Sequence, residues 1–136
     1  HIAYYFKKEK VIFTGDTLFS LGCGRIFEGT CQQMFDSLNK IKSLPEDTKI
    51  YCGHEYTLSN IKFALSIDPD NQNLKKLADW ANQQEDEHRP TIPTTLKDQT
   101  LCNPFLRCDS EYFYSYYDSK DPEEIFAKMR SAKDNF

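Results

Sequence analysis

Two short stretches place chemistry-bearing side chains at the ends of apolar runs. Val11-Ile12-Phe13-Thr14-Gly15-Asp16-Thr17-Leu18-Phe19 leads a strand-like run into an acidic turn, and Lys49-Ile50-Tyr51-Cys52-Gly53-His54-Glu55-Tyr56-Thr57 leads a second into a histidine turn. A buried strand holds its last residue rigidly, and a glycine just before that residue lets the chain turn and other groups approach closely. Carboxylate oxygen plus imidazole nitrogen is a donor combination of hydrolytic metal sites. A carboxylate can also bridge two ions through its two oxygens, which suits Asp16. Each residue has an ordinary reading as well. Asp after Gly is common in turns, and a lone histidine at a strand end is often hydrogen-bonded structure. Spacing leaves both readings open for each residue alone; the pair points to metal-assisted hydrolysis.

Other candidates are weaker. Gly22-Cys23-Gly24-Arg25 is glycine-rich but lacks the spacing of a phosphate-binding loop. It reads as a loop whose backbone can approach a ligand, with Arg25 either a solvated charge or an anion contact. Cys23 and Cys52 lie near both motifs, yet no histidine is close in sequence to Cys23 and Cys52 lies inside a strand, so packing is the reading for both. His88-Arg89-Pro90 suits a helix end. Tyr112, Phe113, Tyr114, Tyr116 and Tyr117 form an aromatic cluster that reads as packing. Arg130 and Lys133 stand at i and i+3 on one predicted helix face, by default favourable basic residues at a helix C-terminus, though the same geometry would also clamp a carboxylate.

The elements that must position these residues follow from pattern. Residues 1–6 and 10–14 read as a hairpin around Lys7-Lys8-Glu9. Thr30-Cys31-Gln32-Gln33 resembles a capping box, followed by Met34, Phe35, Leu38, Ile41 and Leu44 at helical spacing up to Pro45. Residues 48–52 form the next strand. Strand, helix, strand predicts an α/β layered fold. Beyond His54 the pattern becomes helical. Leu58, Ile61, Ala64 and Leu65 predict one helix, stopped before Asp68-Pro69. Leu74, Leu77, Ala78 and Ala81 predict another, capped by Asp70 or Asn71 and ended by Pro90. Asp121-Pro122-Glu123-Glu124 opens a third. Residues 91–110 read as an extended connector. A domain boundary is expected near residue 57.

Bulk properties narrow the classes. At 136 residues, 39% apolar and 28% charged, the chain suits one domain or one small domain plus part of another. A net charge of −4 offers no basic footprint for nucleic acid. No apolar run approaches the roughly 18–20 residues of a membrane span. The five cysteines form no CxxC pair, which predicts reduced thiols and a cytoplasmic protein. The chain is strand-like from His1 onward, so a truncated polypeptide is expected.

Taken together, these motifs resemble glyoxalase II, the hydroxyacylglutathione hydrolase family of the metallo-β-lactamase superfamily. The resemblance rests on Thr14–Phe19, Gly22–Thr30, Tyr51–Thr57, Asn103-Pro104-Phe105-Leu106-Arg107 and Met129–Asp134, and covers essentially the whole chain. It implies the C-terminal part of an αββα layered domain (residues 1–57) followed by a mostly α-helical glutathione-binding domain (residues 58–136). It also implies a monomer that cleaves S-D-lactoylglutathione to D-lactate and glutathione with two divalent ions, commonly zinc and sometimes iron or manganese. Asp16 then matches the bridging aspartate and His54 a terminal ligand. Arg25 and Tyr56 match glutathione contacts, Phe27 stands where some members have tyrosine, and Arg130 with Lys133 matches a carboxylate-holding pair. The family's Thr-His-x-His-x-Asp-His run and a further ligand histidine lie upstream of these motifs, and His1 is not assigned to metal. The chain alone is therefore expected to be inactive. The alternatives are a one-iron glutathione-persulfide dioxygenase relative, which residues 58–136 argue against, and a non-catalytic glutathione-binding fragment.

Overall fold

The computed structural model describes residues 1–136. Strands β1 (Tyr4–Phe6) and β2 (Val11–Gly15) form the predicted hairpin, and β3 (Leu18–Phe19) pairs with β4 (Gly22–Cys23) in a small ladder of its own. Helix α1 (Cys31–Lys42) crosses over to β5 (Lys49–Cys52), which lies parallel to β2. The main sheet has the order β1-β2-β5-β6, with β6 (Thr94–Thr95) antiparallel on the far edge. Helices α2 (Thr57–Ile67), α3 (Gln72–Asp86), α4 (Leu96–Cys102), α5 (Glu111–Tyr117) and α6 (Pro122–Asp134) make up most of the remainder. No helix is long and apolar enough to cross a membrane.

Local chemistry explains the element ends. At the start of α1, Thr30 Oγ1 accepts from the Gln33 N–H at 3.2 Å and the Gln33 side chain accepts from the Thr30 N–H at 2.9 Å, a complete capping box. Asn71 caps α3, and Asp121 caps α6 with Pro122 in its first turn. Helix α3 stops at Asp86, short of the expected Pro90, because His88 adopts φ +54° and the Arg89 N–H closes back on the Gln84 carbonyl at 2.8 Å. A left-handed residue with that closure ends a helix without proline.

Residues 91–110, expected as an extended connector, are instead β6, α4 and a 3-10 turn at Pro104–Leu106. Thr95 caps α4: its hydroxyl donates to the Asp98 carboxylate and accepts from the Asp98 N–H. The prolines sit where they interrupt nothing. Pro93 precedes β6, and Pro104 opens the 3-10 turn, a position whose N–H needs no partner.

Sheet alternation sets the layers. Ile12, Thr14 and Ile50 are buried on one face, while Tyr4, Phe6 and Phe13 on the other are substantially exposed. On that open face Phe13 stacks on Tyr51 with centroids 5.2 Å apart. The covered face belongs to a core of 16 buried residues that runs across residue 57, joining Ile12, Leu18 and Ile50 to Phe63, Phe105 and Phe126. A second, smaller core of seven residues joins α2, α3 and α4 to Leu21 in the turn between β3 and β4.

Candidate active-site cleft

Parallel pairing delivers both turn residues to one edge, since β2 and β5 end side by side. That carboxyl-terminal edge is where open α/β sheets take ligands. The register slips between Phe13 and Gly15, and the Gly53 N–H donates to the Gly15 carbonyl at 2.8 Å. His54 Nε2 and Asp16 Oδ1 come to 3.4 Å, each side chain about half exposed. Two glycines make this approach possible. A Cβ on Gly53 would stand 2.6 Å from Asp16 Oδ1, and one on Gly24 would stand 1.9 Å from the Asp16 carbonyl oxygen. Around them the His54 ring stacks on Tyr56 at 4.9 Å and 13°, and Phe19 packs its edge on Tyr56 at 5.1 Å.

The cations arrive from α6 and the loop after β4. Arg130 and Lys133 share a face of α6, as their spacing predicts, but differ in surroundings. Arg130 is only 4% exposed. Its Nη1 donates to the Cys23 carbonyl at 2.8 Å and the Gly24 carbonyl at 3.4 Å, its Nε donates to Asp134 Oδ1 at 3.1 Å, and Nη2 lies 2.9 Å from that oxygen in an ion pair. Most of its hydrogen-bonding capacity is thus engaged within the chain. Lys133 lies 5.6 Å from the Phe63 ring centre and makes no ion pair. Burial, followed by the charges of Arg130 and Arg25, holds its pKa below the usual lysine value, against the opposing pull of Asp134 and Cys23. Arg25 is largely exposed, with Nε 3.9 Å from Asp134 Oδ1.

One cleft of about 450 Å³ is lined by all seven residues singled out in the sequence: Asp16, Arg25, Phe27, His54, Tyr56, Arg130 and Lys133. A larger hollow of about 640 Å³ adjoins it, sharing His1, Arg25 and Phe27 but excluding Asp16 and His54, so the smaller cleft holds the chemistry. Phe27, 83% exposed, stands between the two. Sequence reasoning missed Phe19, Ser59 and Asn60, which also line the cleft. Ser59 and Asn60 follow Tyr56 at i+3 and i+4 in the first turn of α2, a helical-face signal that was available. Asn60 is buried and donates to the Ser20 carbonyl at 3.0 Å.

Neither nearby thiol is activated. Burial pushes the Cys23 thiol up to about 11 despite Arg130 beside it, and burial likewise raises Cys52, whose Sγ donates to the His54 carbonyl at 3.3 Å. A thiol nucleophile needs the opposite shift. The convergent carboxylate and imidazole suit a divalent cation as donors. They are two, where zinc takes about three or four protein ligands, and no group of three or more His, Cys, Asp or Glu gathers in the chain.

Comparison with known proteins places the chain among known families. The family model described as Hydroxyacylglutathione hydrolase C-terminus matches residues 55–136, and that of the Metallo-beta-lactamase superfamily matches residues 1–54. The chain is 52% identical over 136 residues to a hydroxyacylglutathione hydrolase of Pelagibacter ubique, covering all of this chain and 52% of that protein. It is 49% identical to the enzyme of that name from Rhodospirillum rubrum, again over the whole chain and 54% of the relative. Against the Microcystis aeruginosa relative the identity is also 49%, over the whole chain and 55% of that protein. The chain spans about half the length of the curated relatives it matches.

Proposed function

This chain belongs to the hydroxyacylglutathione hydrolase family, and from that membership we propose that the full-length protein hydrolyses 2-hydroxyacylglutathione thioesters. S-D-lactoylglutathione is the proposed substrate, with water splitting the thioester into D-lactate and glutathione as the last step of methylglyoxal detoxification. The observation that carries this reading is one cleft in which Asp16 and His54 converge at 3.4 Å and which Arg25 and Lys133 also line. Hydrolytic donors and anion-binding cations then face one ligand.

Asp16 and His54 would hold part of a two-ion centre, zinc being the expected metal and iron or manganese the alternatives. Bound there, the ions supply Lewis-acid chemistry for attack on the thioester carbonyl. The remaining donors are proposed to come from the part of the relatives' length that this chain does not span. Within the chain, Gly24 and Gly53 leave the room Asp16 needs, and Tyr56 and Phe19 brace the His54 ring from the apolar side. Lys133 and Arg25 orient the carboxylate end of the glutathione moiety, a contribution to positioning rather than bond breaking. Phe27 offers ring surface and no hydroxyl. The thiolate leaves readily, so no general acid is required of this chain. A monomer in the cytoplasm is proposed, consistent with five unpaired cysteines.

The test compares kcat/KM of the full-length protein on lactoylglutathione, a second hydroxyacylglutathione and a lactoyl thioester of a simple thiol. Charge-assisted contacts contribute about 1.5–3 kcal/mol each, so losing two should cost on the order of 10²-fold or more. The two glutathione thioesters should react comparably and the simple thioester far more slowly. Equal rates on the simple thioester would remove the proposed glutathione clamp.

A further inference from the structure

The turn carrying His54 into α2 is fastened from behind. Helix α2 begins without a side-chain cap: Tyr56 occupies the cap position and its side chain makes no capping bond. Glu55, between the two cleft residues, takes no part in the cleft and lines a separate hollow with Arg89, Pro90 and Thr91. There Oε1 accepts from the Thr91 N–H at 2.9 Å and the Ile92 N–H at 3.2 Å, while Oε2 accepts the Thr91 hydroxyl at 2.5 Å. A hydroxyl has one hydrogen, and that of Thr91 is given to the carboxylate. The Thr57 hydroxyl, 2.6 Å from Thr91 Oγ1, is therefore the donor in that pair. Both threonines are buried. One carboxylate thus accepts three hydrogen bonds, and with the fourth, from Thr57 to Thr91, ties the start of α2 to the segment before β6.

The neighbours of Glu55 are the two stacked rings. His54 and Tyr56 lie 4.9 Å apart at 13°, so a backbone rotation at Glu55 moves both and breaks their parallel alignment. On the sheet side the turn is held by Gly53 pairing with Gly15. On the helix side, with no cap present, the Glu55–Thr91 contacts supply the restraint. Bonds to an ionised carboxylate are the stronger kind.

We propose that Glu55 is a positioning residue, whose attachment to Thr91 and Ile92 fixes the angle at which His54 and Tyr56 enter the cleft. Its chemical consequence rests on the reading of His54 as a metal donor. Outer partners that orient such donors change metal affinity or activity by about 10–100-fold when removed.

The test uses the full-length protein and two readouts that a merely structural role would leave unmoved. One is the NMR position of the His54 ring protons, which lie against the Tyr56 ring; the other is zinc affinity by chelator competition. Glu55→Ala should shift the His54 resonances and weaken zinc binding about 10–100-fold. Glu55→Gln keeps an acceptor for the two N–H groups and should restore most of the loss. Thr91→Val removes only the hydroxyl and leaves the two N–H contacts to Glu55, so a smaller change in the same direction is expected. If Glu55→Ala lowers the melting temperature while both readouts stay at their native values, the proposal is overturned. Should that variant fail to fold, Thr91→Val decides by the same readouts, and native values there overturn it equally. A full-length protein that hydrolyses no glutathione thioester would remove the functional reading, while the His54 resonances would still report on Glu55.

Discussion

The two walls of the cleft are built by different means. Asp16 and His54 are held through the backbone: parallel strand ends, the Gly53–Gly15 hydrogen bond, and two glycines that leave no room for a Cβ. The cationic wall is held through side chains, with Arg130 buried in carbonyl and carboxylate partners and Lys133 left beside Phe63. Backbone positioning tolerates no added atom but keeps the donor side chains free. Side-chain positioning consumes the capacity of one residue, Arg130, to hold the wall on which another, Lys133, stays available.

The contrast is sharpest for Gly24→Ala and Asp16→Ala. In Gly24→Ala the new methyl would meet a backbone oxygen at 1.9 Å, which cannot rotate aside as a flexible side chain does. Overpacking of this kind costs about 1–3 kcal/mol, and displacement of Asp16 should lower hydrolysis by the full-length protein on the order of 10²-fold or more. Asp16→Ala should abolish hydrolysis with little loss in denaturation midpoint, because its side chain is half exposed. If Gly24→Ala retains native rates, the backbone wall is not what sets Asp16.

Arg130→Ala probes the other wall and should mix two effects. Removing it leaves the Cys23 and Gly24 carbonyls without this donor, and an unsatisfied buried group costs about 1–3 kcal/mol. Because Gly24 packs on Asp16, kcat should fall along with the rise in KM. Lys133→Ala should instead raise KM about tenfold, for one charge-assisted contact, with kcat nearly unchanged. Kinetics of the two variants side by side separate a residue that holds the wall from one that faces the ligand. Matching KM-only effects would break the distinction.

How much of this was legible in the sequence follows the same divide. The Thr30 capping box and the Asp121 start of α6 rest on contacts a few residues apart, and the local pattern found them. The strand ends were legible from their apolar runs and glycines, although the pairing of β2 with β5 that joins them is long-range. The seven cleft residues came from the strand-end motifs and the family resemblance together. The burial of Arg130 was not legible, because its carbonyl partners lie 106 and 107 positions away. Residues 91–110 misled for a related reason: prolines suggested an open connector, but β6 exists only because β5 offers an edge, and Thr95 then starts α4. Glu55 was read as part of a motif without a partner, since Thr91 is 36 positions away.

The smallest expected effect concerns the charge of Lys133 itself. Burial and the cations Arg130 and Arg25 hold its pKa below that of an ordinary lysine, about 10.4, while Asp134 and Cys23 pull it up without cancelling the shift. In the window between the depressed and ordinary values, the unfolded chain binds more protons than the folded one, so stability attributable to Lys133 rises with pH there. Anion binding runs the other way. A ligand carboxylate favours the ammonium form, so KM for a glutathione thioester should begin to rise at a lower pH than an ordinary lysine would allow. Lys133→Arg keeps a charge that does not titrate in this range, and its alkaline rise should be displaced upward. The ligand's own amine titrates identically against both proteins and cancels in the comparison. KM profiles of the two proteins measured across the alkaline range test this, with a severalfold separation expected at the upper end. If the profiles superimpose, Lys133 does not meet the substrate's carboxylate, and the exposed Arg25 would be left as the cation that does.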